Sequence, residues 1–233
     1  MQRPGGELAS RPLHFIWIAD CSTSMGADGK MEALNEAIRN ALPQMQRVAD
    51  ENPNAEVLVR AVRFSSGASW HVAEPTPMGD FTWTDLTAGG VTDMGKAFEL
   101  LAEALGIPPM NERALPPVLV LITDGQPTDD YRTPLERLMK LPWGTKAVRL
   151  AIGIGKGANQ RVLKEFIGNP AIVPLQAENA GQLTEYIRWV STVVLQSASS
   201  PASQSETSVS KGNVVLPDFP EDFWDAVSVD DVW

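Results

Sequence analysis

The apolar and polar positions of this 233-residue chain follow two periods in alternation. Leu13 to Ala19 and Pro117 to Ile122 are nearly unbroken apolar runs of strand length, as expected of strands buried on both faces. Glu56 to Phe64 sets Val57, Val59 and Ala61 against Arg60 and Arg63, a strand pattern. Ser69 to Val72 is a weaker run, predicted to pair antiparallel at a sheet edge. Ala147 to Ile154 and Ala171 to Leu175 complete the predicted strands. Between them, Met31, Leu34, Ala37, Ile38, Ala41, Leu42 and Met45 recur at helical spacing, with Pro43 predicting a kink or an early end. Helices are also predicted over 94–105, 134–141, 160–167 and 180–195. Strands alternating with helices predict an α/β, Rossmann-like fold. Its central sheet is mostly parallel with one antiparallel edge strand, and helices cover both faces. No internal repeat is visible.

Both strong apolar strands end abruptly in polar residues. The first runs into Asp20-x-Ser22-x-Ser24 and the second into Thr123-Asp124-Gly125. A third stretch, Ala88-Gly89-Gly90-Val91-Thr92-Asp93-Met94-Gly95, immediately precedes a predicted helix. In parallel sheets, ligands bind outside the carboxyl ends of the strands, where Asp20 and Asp124 both fall. Oxygen-only donors suit hard cations such as Mg²⁺ or Mn²⁺. Taken alone, Asp20, Ser22 and Ser24 fit a helix cap equally well, and Asp124 before Gly125 fits a turn.

The three motifs together, in this order and at these strand ends, resemble the von Willebrand factor A (VWA) domain and its metal-ion-dependent adhesion site (MIDAS). The resemblance covers about residues 12–196. The runs Thr-Ala-Gly-Gly-x-Thr-Asp-Met-Gly and Leu-Ile-Thr-Asp-Gly-x-Pro-Thr-Asp are most similar to those of bacterial VWA proteins of the tellurium-resistance-associated (TerY-like) kind. The resemblance implies that Ser22 and Ser24 bind the metal through their hydroxyls. It implies that Thr92 is a third ligand, direct or through water, and that Asp20 and Asp124 hold metal-bound waters. Gly89 and Gly90 would let backbone approach the ion. Neutral hydroxyls leave the ion incompletely neutralised, and Mg²⁺ keeps exchangeable positions. An acidic side chain of a protein partner can fill one. The implied role is a binding adaptor without catalysis, linked to protein kinases or PP2C-type phosphatases in a signalling or stress-response system.

Other chemistries fit the sequence less well. A haloacid-dehalogenase-type phosphatase needs a second carboxylate where Ser22 stands. The Gly153-Ile154-Gly155-Lys156-Gly157 run lacks the hydroxyl that follows the lysine of a phosphate loop. Ser22 has no Gly-x-Ser-x-Gly context. His14 and His71 have no zinc-ligand spacing and are expected to be structural or surface residues. A metal-dependent phosphohydrolase, with Asp20 as base or nucleophile, is the competing enzymatic reading. An assembly subunit with a structural metal is another.

Composition modifies this picture at the ends. The single Cys21 cannot form an internal disulfide, which fits a cytoplasmic setting. Its position beside the site suggests either an oxidation-sensitive thiol or a buried, inert one. No run reaches the length of a membrane span. The net charge of −10 argues against nucleic acid as a partner. Residues 214–233 hold six of the acids and no Lys or Arg, leaving 23 acidic against 19 basic side chains elsewhere. The expected organisation is an arm over 1–11, the domain over 12–196, a Ser-rich linker over 197–213 and an acidic-aromatic tail over 214–233. Phe219, Phe223, Trp224 and Trp233 are the tail's candidate anchors in apolar pockets of a partner. The alternative is that the tail folds back so that one of its carboxylates reaches the metal and occludes that face until a partner displaces it.

Overall fold

The computed structural model describes residues 10–199 and 233. The first strand, β1 (Arg11–Asp20), is buried from Leu13 to its end. Its two faces separate by parity. Leu13, Phe15, Trp17 and Ala19 enter one core layer, and Ile16 and Ile18 enter the other. The period of two and the burial of both faces together account for the unbroken apolar run. The chain continues through α1 (Lys30–Asp50), β2 (Ala55–Ser65), β3 (Gly67–Pro77), α2 (Met94–Ala104), β4 (Val118–Thr123), α3 (Arg132–Lys140) and α4 (Pro142–Lys146). It then forms β5 (Val148–Ile154), α5 (Gln160–Ile167), β6 (Leu175–Ala177), α6 (Ala180–Trp189) and α7 (Leu195–Ser199).

The six strands lie in the order β3-β2-β1-β4-β5-β6, all parallel except β3, which pairs antiparallel with β2. The predicted sheet is therefore the observed one. One core layer lies under α1, α6 and α7 and the other under α2, α3 and α5. From β1 the chain passes to β2 on one side, and β4 lies on the other. The carboxyl ends of β1 and β4 therefore flank the point where strand order reverses, the usual ligand crevice of such sheets.

Several elements differ from the periodicity. α1 runs through Pro43 without ending, because Met31, Leu34, Ile38, Ala41 and Met45 on its inner stripe are all buried. β3 extends to Pro77, with Pro75 and Pro77 tolerated on an edge strand. The strand expected over 171–175 is displaced to Leu175–Ala177. Gly168 is left-handed, the Asn169 side chain accepts from the Ala171 N–H, and Pro174 lacks a donor, so the chain turns before it can pair. The last helix is not uniform. Ser191 and Thr192 donate to the carbonyls of Ile187 and Arg188, and a π turn spans Val190–Val194. α7 then continues to Ser199, three residues into the segment read as linker. The arm up to residue 9, the linker beyond 199, and Phe219, Phe223 and Trp224 lie outside the described residues.

His14 is 8% exposed, and burial together with the nearby Arg60 guanidinium lowers its pKa to about 4. His71 is structural in a different way, with its ring bonded to the Thr84 carbonyl and packed edge-on against Trp83. The His14 shift has a signed consequence. Above pH 6.5 His14 is neutral whether the chain is folded or not, and the contribution to stability is complete. As pH falls toward 4 the unfolded chain takes up a proton that the folded chain resists. Stability is expected to drop by about 3 kcal/mol over that window through this residue. Urea unfolding at pH 7 and pH 4.5 checks this: the loss should be markedly smaller in His14→Leu than in the parent chain.

Candidate metal centre

The carboxyl ends of β1 and β4 bring the candidate residues to one place. Asp20 ends β1 and is fully buried. One carboxylate oxygen, Oδ1, accepts the Ser22 N–H at 2.8 Å, and the other, Oδ2, accepts the Thr123 hydroxyl at 2.5 Å. Burial raises the pKa of this carboxyl, while the bonds from Thr123 and Ser22 pull the other way. Beyond Ser22 the chain makes a 3₁₀ turn, Thr23–Gly26, which turns the Ser24 hydroxyl back toward Ser22 at 3.1 Å. Ser24 donates to Asp124 Oδ1 at 2.7 Å. A Cβ placed on Gly125 would stand 3.9 Å from both Ser24 Oγ and Thr92 Oγ1, so the third loop reaches the same point. Asp20, Ser22, Ser24, Thr92 and Asp124 thus form one cluster, although 104 positions separate its first and last members. Three of them, Ser22, Thr92 and Asp124, are buried polar residues beside fully buried Asp20.

The cluster has supports that the sequence reading did not assign. Lys30, the first residue of α1, places Nζ 2.9 Å from Asp124 Oδ2, with its side chain 14% exposed. The Thr92 loop is clamped from the far side. Thr128 Oγ1 accepts the Thr92 N–H and donates to Asp93, and the Thr128 N–H bonds the Thr92 carbonyl. Asp129 accepts the N–H groups of Gly95 and Lys96, satisfying orphan donors at the start of α2 and fixing where Thr92 ends. A hydroxyl or carboxylate a few residues past Thr123-Asp124-Gly125 was the signal available for Thr128 and Asp129. For Lys30 there was none, because a lysine at a helix start reads as solvated.

Gly89 and Gly90 also link two of the loops. Gly90 has φ +86°, and a Cβ there would meet Ser66 Oγ at 2.6 Å. Its carbonyl accepts from the Thr23 N–H and hydroxyl, and the Gly89 N–H bonds the Cys21 carbonyl. The pair therefore ties the third loop to the first, and Gly90 alone approaches a neighbour closely, at Ser66. Cys21 is buried, and burial with the Asp20 charge raises its thiol pKa to about 12. The thiol is therefore protonated and shielded, which favours the inert reading.

The donor set fits a hard cation. The hydroxyls of Ser22 and Ser24 are 3.1 Å apart, close to the spacing of about 3 Å between adjacent ligand oxygens when Mg²⁺–O bonds are 2.0–2.1 Å. Asp124 already holds a cationic group, the Lys30 ammonium. Among the described residues no group of three His, Cys, Asp or Glu side chains gathers to hold a metal, so the donors available here are two carboxylates and the hydroxyls.

Residues 16–188 match the family model described as the von Willebrand factor type A domain. None of the curated proteins matches the chain. Solved structures share its fold at low identity. A von Willebrand factor type A protein from Catenulispora acidiphila aligns at 19% identity with a TM-score of 0.59, covering 81% of this chain and 43% of that one. The ArnB paralog VWA2 from Sulfolobus acidocaldarius aligns at 17% identity with a TM-score of 0.57, over 76% and 44%. Proximal thread matrix protein 1 from the mussel byssus, in a form with a zinc-occupied MIDAS motif, aligns at 16% identity with a TM-score of 0.61, over 83% and 49%. The chain thus spans less than half the length of each of these structures.

Proposed function

Because the chain belongs to the von Willebrand factor type A domain family, we propose that it is a metal-dependent protein-binding adaptor. Ser22 and Ser24 hold Mg²⁺ or Mn²⁺ through their hydroxyls, with Thr92 as a further ligand, direct or through water. Asp20 and Asp124 hold metal-bound waters. A protein partner supplies an acidic side chain to the ion. The observation that carries this reading is the convergence of three hydroxyls and two carboxylates at the crevice between β1 and β4. The mussel byssus protein, which shares the fold, is known in a form with a zinc-occupied MIDAS motif, in keeping with this reading. The reading includes no catalysis. Both carboxylate oxygens of Asp20 accept hydrogen bonds, from Ser22 and Thr123, and the residue has no exposed surface, which disfavours it as base or nucleophile. The resemblance to TerY-like proteins extends the proposal to a bacterial, cytoplasmic, kinase- or phosphatase-linked system of the tellurium-resistance kind. The buried, unpaired Cys21 suits that compartment. Among the described residues no helix is long and apolar enough to cross a membrane.

Affinity isolation from the native lysate, with Mg²⁺ or with EDTA and with the parent chain or Ser22→Ala, tests the reading. Partners lost with both EDTA and Ser22→Ala are expected. Partners that survive both would leave the metal a structural role at most. The Lys30 ammonium gives a second expectation. It competes with a cation for Asp124, so Lys30→Met is expected to bind Mg²⁺ roughly tenfold more tightly, an effect of about 1.4 kcal/mol. Titration calorimetry on the two proteins reads it directly.

A further inference from the structure

Trp233 is seated on the same rim as the metal loops. Its indole Nε1–H donates to the Asp28 carbonyl at 2.9 Å, across 205 positions of sequence. Its backbone N–H donates to the Glu178 carbonyl at 2.8 Å, between β6 and α6. The ring's root lies against Gly155, where a Cβ would stand 3.5 Å from Trp233 Cβ. The residue is partly buried against the core layer under α1 and α6. The notch that receives it is made by two turns of unusual backbone. Asp28 has φ +56°, Gly29 φ +71° and Gly155 φ +63°. The missing side chain of Gly155 is also 3.8 Å from Lys30 Cε, so Trp233 and the Lys30 stem border one space. Lys30 in turn reaches Asp124. Gly155 thus stands between Trp233 and the lysine that reaches the metal cluster.

A stable protein partner covers about 800 Å² on each side of its interface. A patch of that size centred on Asp124 includes Trp233. A partner on the metal face must therefore either cover the indole or take its place. Two hydrogen bonds and a half-buried ring form a modest seat. The seat is an intramolecular contact, which a partner has to displace. A partner of ordinary affinity outcompetes it. The notch offers an indole-sized space, a carbonyl acceptor for an N–H and a lysine stem beside it, a combination suited to tryptophan next to acidic residues.

We propose, resting on the metal-adaptor reading, that this notch is a tryptophan-recognition site on the metal face, filled within the chain by Trp233, and that partners enter it with a tryptophan flanked by acidic side chains. The chain's own residues 224–233, with Asp225, Asp230 and Asp231 between two tryptophans, are a ready probe. The full-length parent and full-length Trp233→Ala are labelled with ¹⁵N and titrated with a synthetic peptide of residues 224–233. The expected result has two parts. Trp233→Ala shifts the Asp28, Gly29 and Gly155 amide resonances, and the peptide returns them toward their parent positions. The peptide binds Trp233→Ala at least about tenfold more tightly than the parent, whose own tryptophan blocks the notch. Equal binding to both proteins, absence of binding to Trp233→Ala, or unmoved Asp28 and Gly155 resonances would overturn the proposal. A separate Mg²⁺ titration followed at the Ser24 and Gly125 amides reports on the metal reading alone, so either can fail without the other.

Discussion

Asp124→Ala is expected to destabilise the metal-free chain by about 3 kcal/mol, the low end of the cost of breaking a buried ion pair. The Lys30 ammonium, mostly shielded, would lose its partner, and the Ser24 hydroxyl would lose its acceptor. The low end applies because 14% of the lysine side chain still meets solvent. Adding Lys30→Met to Asp124→Ala should recover most of the loss, since the stranded charge and not the missing carboxylate causes it. Urea unfolding of the four proteins in the double-mutant cycle measures the coupling. Full additivity would show that the pair contributes nothing to the fold.

Trp17→Ala is expected to cost about 3–5 kcal/mol, the range for truncating a fully buried aromatic. Trp17 sits in the middle of the central strand, has no exposed surface and meets Phe15 edge-on with ring centres 4.8 Å apart. Among the described residues its indole nitrogen finds no hydrogen-bond partner, and an unsatisfied buried donor is itself worth about 1–3 kcal/mol of instability. Trp17→Phe removes that donor along with some volume. The two changes oppose each other, so a net effect within about 1 kcal/mol is expected. A Phe variant as unstable as the Ala variant would show that ring volume, and not the orphan donor, dominates this position.

The sequence was most legible where one physical demand governed a whole segment. β1 and β4 are buried on both faces, and continuous apolar runs are the direct result. α1 kept its helical stripe despite Pro43 because the buried face outweighs one lost hydrogen bond. Short segments were decided by turn chemistry instead. Between Ala171 and Leu175 the apolar residues suggested a strand, but Asn169 and the flanking prolines set where pairing starts. The π turn in the last helix depends on two hydroxyls whose bonds to backbone no hydrophobic pattern reveals. The candidate centre divides in the same way. Asp20, Ser22 and Ser24 were visible because they share one loop, and Thr92 and Asp124 because each ends a recognisable motif. Lys30, Thr123, Thr128 and Asp129 act across loops, and their roles exist only once the strands are aligned. Trp233 is the extreme case, since nothing local to residue 233 or residue 28 announces their bond.

On the proposed reading, the loops hold the metal donors in place before any ion or partner arrives. The donors sit on three connections, each anchored to the sheet or to a neighbouring loop by backbone bonds. Preorganised donors bind an ion without first having to be ordered, and an ion incompletely neutralised by hydroxyls retains attraction for an outside carboxylate.

Calorimetric titration of Mg²⁺ into the full chain, beside Ser22→Ala, tests the central claim most directly. The account predicts saturable binding of one ion per chain, accompanied by a rise in Tm, and a loss of affinity of at least about tenfold in Ser22→Ala. A parent chain that gives no heat and no rise in Tm at millimolar Mg²⁺ or Mn²⁺, or a Ser22→Ala variant that binds as well as the parent, would contradict it.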